Sequence, residues 1–334
     1  MKFKKLYIYV CCFIFACGGL LVYKLYQDAE PQNINALVEL ADKYYEGDGV
    51  EKNYQEAFNL YKKAAEKGNA DAQYMLGGMY FTGKGVEKNP CEAFKWLMKG
   101  AEQGHPVAEY FIGLMYGSGE GIEKNLQEAY KWCKKAAEQG HVDAQYGLGS
   151  IYFTGEGVEK NPQEAYKWCK KAAEQGKSEA QYTLGEMYDT GEGVEKNPQE
   201  AFKWYMKAAE QGNVDAQATV GSKYVSGLGV EKNLQEAFKW YMKAAEQGHA
   251  KAQYNIGLMY SHGLGVEKNY KEAFLYIKKS ADQGYADALF RLGGMYLFGH
   301  GVEKNEAESY NCAVKAAKLG HKDAIKLLNS IKGQ

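Results

Sequence analysis

A heptapeptide, Gly-x-Gly-Val-Glu-Lys-Asn, returns every 36 residues along this 334-residue chain, its second glycine at Gly49, Gly85, Gly121, Gly157, Gly193, Gly229, Gly265 and Gly301. One copy departs from it, with Ile122 in place of the valine. A fixed period of this size leaves few folds open. Each unit is too small to bury its own apolar face and must stack it on the next, which is a solenoid. Function must then be read from the surface of a repetitive rod and from its ends.

One unit reads as two helices. In Asp143–Tyr152, the residues Ala144, Leu148, Gly149, Ile151 and Tyr152 recur at helical spacing, and Asp143 at the head is placed to cap free first-turn N–H groups. This is helix A. Gly155 and Gly157 end it, because glycine enters the left-handed region without a Cβ clash, and Val158 is the one apolar side chain of the loop. Asn161-Pro-Gln-Glu164 then opens helix B with an N-cap, a proline at N1 and a glutamate at N3. Ala165, Tyr166, Trp168, Cys169, Ala172 and Ala173 form its stripe, and Gly176 closes it.

Whole columns repeat with the motif. Gly77, Gly113, Gly149, Gly185, Gly221, Gly257 and Gly293 recur inside helix A. A helix-interior glycine costs about 1 kcal/mol against alanine, so its recurrence marks a close helix crossing. The tyrosine column from Tyr44 to Tyr296 and the tryptophans Trp96, Trp132, Trp168, Trp204 and Trp240 recur at helical spacing and are expected in the core.

This pattern resembles the Sel1-like repeat family, a relative of the tetratricopeptide solenoids. The residues that carry the resemblance are Ala180, Leu184, Gly185 and Tyr188, then Gly191, Gly193 and Val194, Glu200 to Tyr205, and Lys207 to Gly212. The resemblance implies an all-α, right-handed superhelical solenoid of helix pairs with helices A lining the inner face. It also implies a protein-binding scaffold, in membrane-complex assembly, in the bacterial envelope, or as an effector that meets host proteins. The Helicobacter cysteine-rich branch of the family is associated with peptidoglycan and β-lactam binding and staples each repeat with a cysteine pair. The corresponding positions here include Ala137 and Gln145, so a β-lactamase-like activity is only a secondary alternative.

The N-terminus reads differently. Lys2, Lys4 and Lys5 precede an apolar run, residues 6–23, which Lys24 follows. A helix of that length spans ~27 Å, close to a bilayer core. The lysine excess before the run favours a cytoplasmic N-terminus, a signal anchor in the inner membrane and a periplasmic solenoid. Two alternatives are a signal peptide cleaved near Ala16-Cys17-Gly18, releasing a secreted protein, and a lipoprotein acylated at Cys17. The chain thus divides into 1–5, the apolar segment 6–23, a linker 24–34, eight repeats over 35–320 and a closing helix within 321–334.

Signals of catalysis are absent from the sequence. The Gly-x-Gly element joins two helices and is no nucleotide loop. His105, His141, His249 and His321 share one column, whose steps are too long to close on a single metal, and are read as solvated loop residues. No metal, no cofactor and no catalytic residue is expected. A net charge of −1 with a single arginine, Arg291, gives no basic surplus for nucleic acid.

What varies among near-identical repeats is informative. Three helix A columns, spaced by three and four residues, share one face and change from copy to copy. Their most distinctive members are Met75, Gly78, Thr82, Phe111, Leu114, Glu186, Asn255, Leu258, His262, Arg291 and Phe298. They are the expected partner-binding groove, with one apolar spot at Met75, Phe111 and Leu114 and a second near Leu258, Leu297 and Phe298.

Overall fold

The computed structural model describes residues 33–332, so the apolar segment 6–23, Cys17 and nearly all of the linker lie outside the described residues. Among the described residues the secondary structure is entirely helical, and the helices fall into two compact units that divide after Asn161. The first unit holds α1 (Ile34–Glu46), α2 (Tyr54–Glu66), α3 (Ala70–Thr82), α4 (Pro90–Glu102), α5 (Pro106–Ser118), α6 (Leu126–Glu138) and α7 (Val142–Thr154). The second begins with α8 (Pro162–Glu174), α9 (Ser178–Thr190), α10 (Pro198–Glu210), α11 (Val214–Ser226) and α12 (Leu234–Glu246). It continues through α13 (Ala250–His262), α14 (Tyr270–Asp282), α15 (Ala286–Phe298), α16 (Glu306–Lys318) and α17 (Lys322–Lys332). Odd-numbered helices are the A helices and even-numbered ones the B helices, and within each unit consecutive helices pack on one another.

Helix B starts as the sequence dictates. Asn89, Asn197 and Asn305 are extended, and their side chains accept from the N–H groups of Glu92, Glu200 and Glu308. The cap of helix A lies two residues earlier than the sequence reading placed it. α7 begins at Val142, and its cap is His141, whose Nδ1 accepts from the Ala144 N–H at 3.2 Å. Asp143 sits in the first turn, where its charge suits the positive end of the helix.

The histidine column is therefore no solvated loop. His105, His249 and His321 cap α5, α13 and α17 in the same way. The Nε2 atoms of these three lie 3.2, 3.4 and 3.3 Å from Asp71, Asp215 and Asp287 on the preceding A helix. A neutral imidazole with its proton on Nε2 satisfies both partners at once. Asn69 and Asn213 fill the same role by amide oxygen.

The loop glycines have two separate causes. Gly83, Gly119, Gly155, Gly191 and Gly227 are left-handed C-caps whose N–H returns to the A helix. The second glycine of each motif also has positive φ, but it carries a further constraint. A Cβ on Gly85 would collide with the Tyr54 carbonyl at the start of α2, and one on Gly265 with the Leu234 carbonyl at the start of α12. Gly49, which has no preceding repeat, would meet nothing within 4 Å. The second glycine is thus where one loop docks on the helix B of the repeat before.

The core is built from small residues and a few large ones. Ala64, Ala72, Ala93 and Ala108 are fully buried in the first unit, and Ala201, Ala208, Ala216 and Ala237 in the second. A Cβ on Gly77 would lie 2.6 Å from Leu97, which shows how closely α3 and α4 cross. Of the tryptophan column only Trp240 is as buried as periodicity implied. Trp96, Trp132, Trp168 and Trp204 are half-buried, each roofed by the lysine three residues on at 3.8–4.0 Å.

A buried glutamine column ties the helices together. Gln73, Gln145, Gln181, Gln217 and Gln253 donate to the carbonyls of Ala65, Ala137, Ala173, Ala209 and Ala245 at 3.1–3.3 Å. In four copies the glutamine oxygen accepts from the next helix B, as Gln73 does from Gln103 at 2.7 Å. The positions where the cysteine-rich branch places its thiols, Ala137 and Gln145, are joined here by a hydrogen bond instead.

Candidate functional site

The variable face takes a different character in each unit. In the first, Met75 on α3 is half-buried against the core, and Gly78 leaves open space where a side chain would be. Thr82 turns its hydroxyl back to the Gly78 carbonyl at 2.8 Å, so only its methyl is offered outward. Phe111 on α5 lies between Tyr74 and Tyr110, tilted to the first at 6.0 Å and edge-on to the second at 6.2 Å. Leu114, one turn on, is 47% exposed. These residues form an apolar strip, and a cavity of about 410 Å³ opens beside Leu114 between α5, α6 and α7.

In the second unit the face is mostly polar, with charge at Glu186 and Arg291. Glu186 on α9 is exposed, yet crowding by protein raises its carboxyl above the usual range, and the charges of Asp215 and Asp189 raise it further. Lys223 on α11 is only 7% exposed and grips both oxygens of Asp189 at 2.5–2.6 Å. Sequence reasoning missed this pair, although the signal was there. Lys223 stands in a column that holds Met79, Met115, Met187, Met259 and Met295 beside Lys43 and Ile151, and Asp189 in one that holds Phe81, Phe153 and Leu297.

Further along, Asn255 bonds to the Tyr241 hydroxyl, and Leu258 is half-buried. The expected second apolar spot is a mixed one. Arg291 Nη2 lies 3.4 Å from His262 Nε2, and Phe298, 61% exposed, leans on His300 at 5.8 Å. Arg291 and Phe298 line a hollow of about 190 Å³ with Tyr270 and His300, while Leu258 and Leu297 stand outside it.

No cluster of three or more metal-ligating side chains occurs among the described residues. Burial pushes the Cys133 and Cys169 thiols up to about 12, which removes the thiolate needed for nucleophilic or ligand chemistry. Among the described residues no helix is long and apolar enough to cross a membrane.

Eight in-phase helix pairs with a constant packing scaffold and one variable face define an α-solenoid of the protein-interaction class. The chain belongs to the Sel1 repeat family, whose model matches eight consecutive units from residue 34 to residue 321. It is similar to the crystal structure of c5321, described as a protective antigen of uropathogenic Escherichia coli strains with an SLR fold. That match has 34% identity and a TM-score of 0.88, over 93% of this chain and 67% of that one. It is also similar to a Sel1 repeat protein from Oxalobacter formigenes, at 33% identity and a TM-score of 0.71, over 95% of this chain and 93% of that one. No curated protein matches.

Proposed function

We propose that this Sel1 repeat protein is a scaffold that binds a protein or peptide on the helix A face, held in the bacterial envelope by residues 6–23. The observation that carries the reading is the exposed Leu114 beside Phe111 and Met75. The glycine and alanine packing columns hold nearly the same small residues from copy to copy, whereas this face changes along the chain and leaves apolar surface in water. The envelope assignment draws on the lysines before the apolar run and the single lysine after it. A second reading, a released protein that meets host molecules, is favoured by the likeness to an antigen of a pathogenic strain.

Two experiments test these. A photo-crosslinking amino acid at position 114 in living cells should capture a partner that the same group at Lys131, on an exposed helix B position, does not. The double variant Phe111→Ser, Leu114→Ser should keep its helicity and lose that adduct. Unfolding of the double variant would mean the strip is core, and equal capture at both positions would remove the groove. Fractionation with intact mass separates the two locations: a full-length membrane species supports the anchor, and a shortened soluble one supports release.

A further inference from the structure

The cavity beside Leu114 is floored by positions that several other copies of the repeat make large, although Cys169 and Ala313 share the Cys133 column and Ser261 the Gly117 column. Gly117 stands where Tyr45, Phe81 and Phe153 stand; Cys133 stands where Tyr61, Leu97, Tyr205 and Tyr241 stand; Gly147 stands where Met75, Phe111 and Arg291 stand. All three shrink in one place. Packing does not require either glycine. A Cβ on Gly147 would meet the Cys133 sulfur at 3.4 Å and Tyr110 at 3.7 Å, and one on Gly117 only Ala129 at 3.8 Å, all ordinary contacts. Gly113, by contrast, faces the Ala129 carbonyl and the Cys133 nitrogen at 3.2 Å. Gly147, inside α7 and unfavourable there by about 1 kcal/mol against alanine, and Gly117, in the last turn of α5, therefore hold open a hole in an interior that is otherwise close-packed.

The second unit shows what such a hole accommodates. Tyr205 occupies the Cys133 column there. Its ring lies against Gly185, where an added Cβ would come within 2.7 Å of it, and 5.5 Å from Tyr182. Gly185 and Tyr182 are the counterparts of Gly113 and Tyr110. In the first unit the same frame stands without the ring. Leu114, Leu126 and Ile151 complete an apolar wall, and the Cys133 thiol is satisfied by the Ala144 carbonyl at 3.3 Å. At the rim, Glu156 is exposed and makes no ion pair among the described residues.

We propose that this cavity receives an aromatic side chain from an extended partner peptide, the ring taking the place that Tyr205 holds in its own repeat. Glu156 then selects a basic residue next to that aromatic one. The volume is within the range of pockets that hold a single small ligand. The inference deepens the reading of the helix A face as a partner site and rests on it.

The test uses the full chain and two probes. Free p-cresol, the tyrosine side-chain analogue, is titrated while the methyl resonances of Leu114, Leu126 and Ile151, which line the cavity, are followed. Acetyl-Gly-Gly-Tyr-Lys-Gly-Gly-amide is compared with versions carrying alanine in place of tyrosine or glutamate in place of lysine. p-Cresol should shift those methyls, and each peptide change should weaken binding at least tenfold. Cys133→Tyr, which restores the residue of repeat five, should abolish both interactions in a folded protein. If that variant fails to fold, Gly147→Met fills the hole from the other side with the residue of repeat two. Unmoved methyls, or peptide affinity indifferent to the aromatic residue, overturn the proposal. Should p-cresol bind while crosslinking at position 114 captures nothing in cells, the ring receptor stands and the groove reading falls.

Discussion

At the residue scale, the buried glutamine column makes its one exception informative. Repeat three carries Glu109, which accepts from Gln139 at 2.7 Å but, when ionised, has no proton to give the carbonyl that the glutamines reach. Burial raises its carboxyl above the usual range. The native state therefore holds this proton more tightly than the unfolded chain does. The stabilisation this brings is full below the unfolded carboxylate value and is lost as pH rises through the folded one. Glu109→Gln should then stabilise α5 and α6 at pH 7 by about 1 kcal/mol, a roughly fivefold slowing of amide exchange there relative to wild type. At pH 4 the wild-type residue is largely protonated and the gap should narrow. A variant that is neutral at both pH values would show that the column is a passive packing feature.

At the level of the element, the eight-fold repetition made the helix pair legible, and it also hid something. The Asn-x-x-Glu start of helix B and the small columns were decisive because every copy agrees. The A-helix cap escaped because asparagine, histidine, lysine and tyrosine share that position, so chemistry rather than identity had to be recognised. The loop glycines were identified as structural, but no sequence pattern separates a glycine needed for its own φ from one needed by a neighbour. The structure separates them. Gly49→Ala meets open space and should lose only the left-handed strain of about 1–2 kcal/mol. Gly265→Ala adds a collision with the Leu234 carbonyl and should lose at least about 2 kcal/mol more, the order of an overpacked core, by chemical denaturation. Equal losses would mean that the loop gives way freely and that docking on the preceding helix B contributes nothing. The candidate site was the least legible part. Thr82 spends its hydroxyl on its own helix, Arg291 pairs with His262, and Lys223 reaches Asp189. Each of these depends on a rotamer that no column reveals.

For the molecule as a whole, nearest-neighbour stacking makes stability a local property, and the C-terminus is where this can be measured. α17 has lost the glycine and tyrosine of an internal A helix, as a closing element should, and it packs on α16. Yet its outer side is not polar: Ile325, Leu327 and Ile331 remain exposed, and Ala324 is its one fully buried side chain. Its cover is thin, and its loss should be felt only next door. Ending the chain at Gly320 uncovers Cys312 and Ala316 on α16, whose remaining support is α15. Amide protection in α15 and α16 should fall at least tenfold, about 1.4 kcal/mol, whereas α9 to α12 in the same unit should stay within about twofold of the full chain. A uniform fall across the second unit would mean that its helices open as one cooperative body. Local loss would confirm that each repeat answers chiefly to its neighbours, so that the face carrying Phe111 and Leu114 is free to change while the stack beneath it holds.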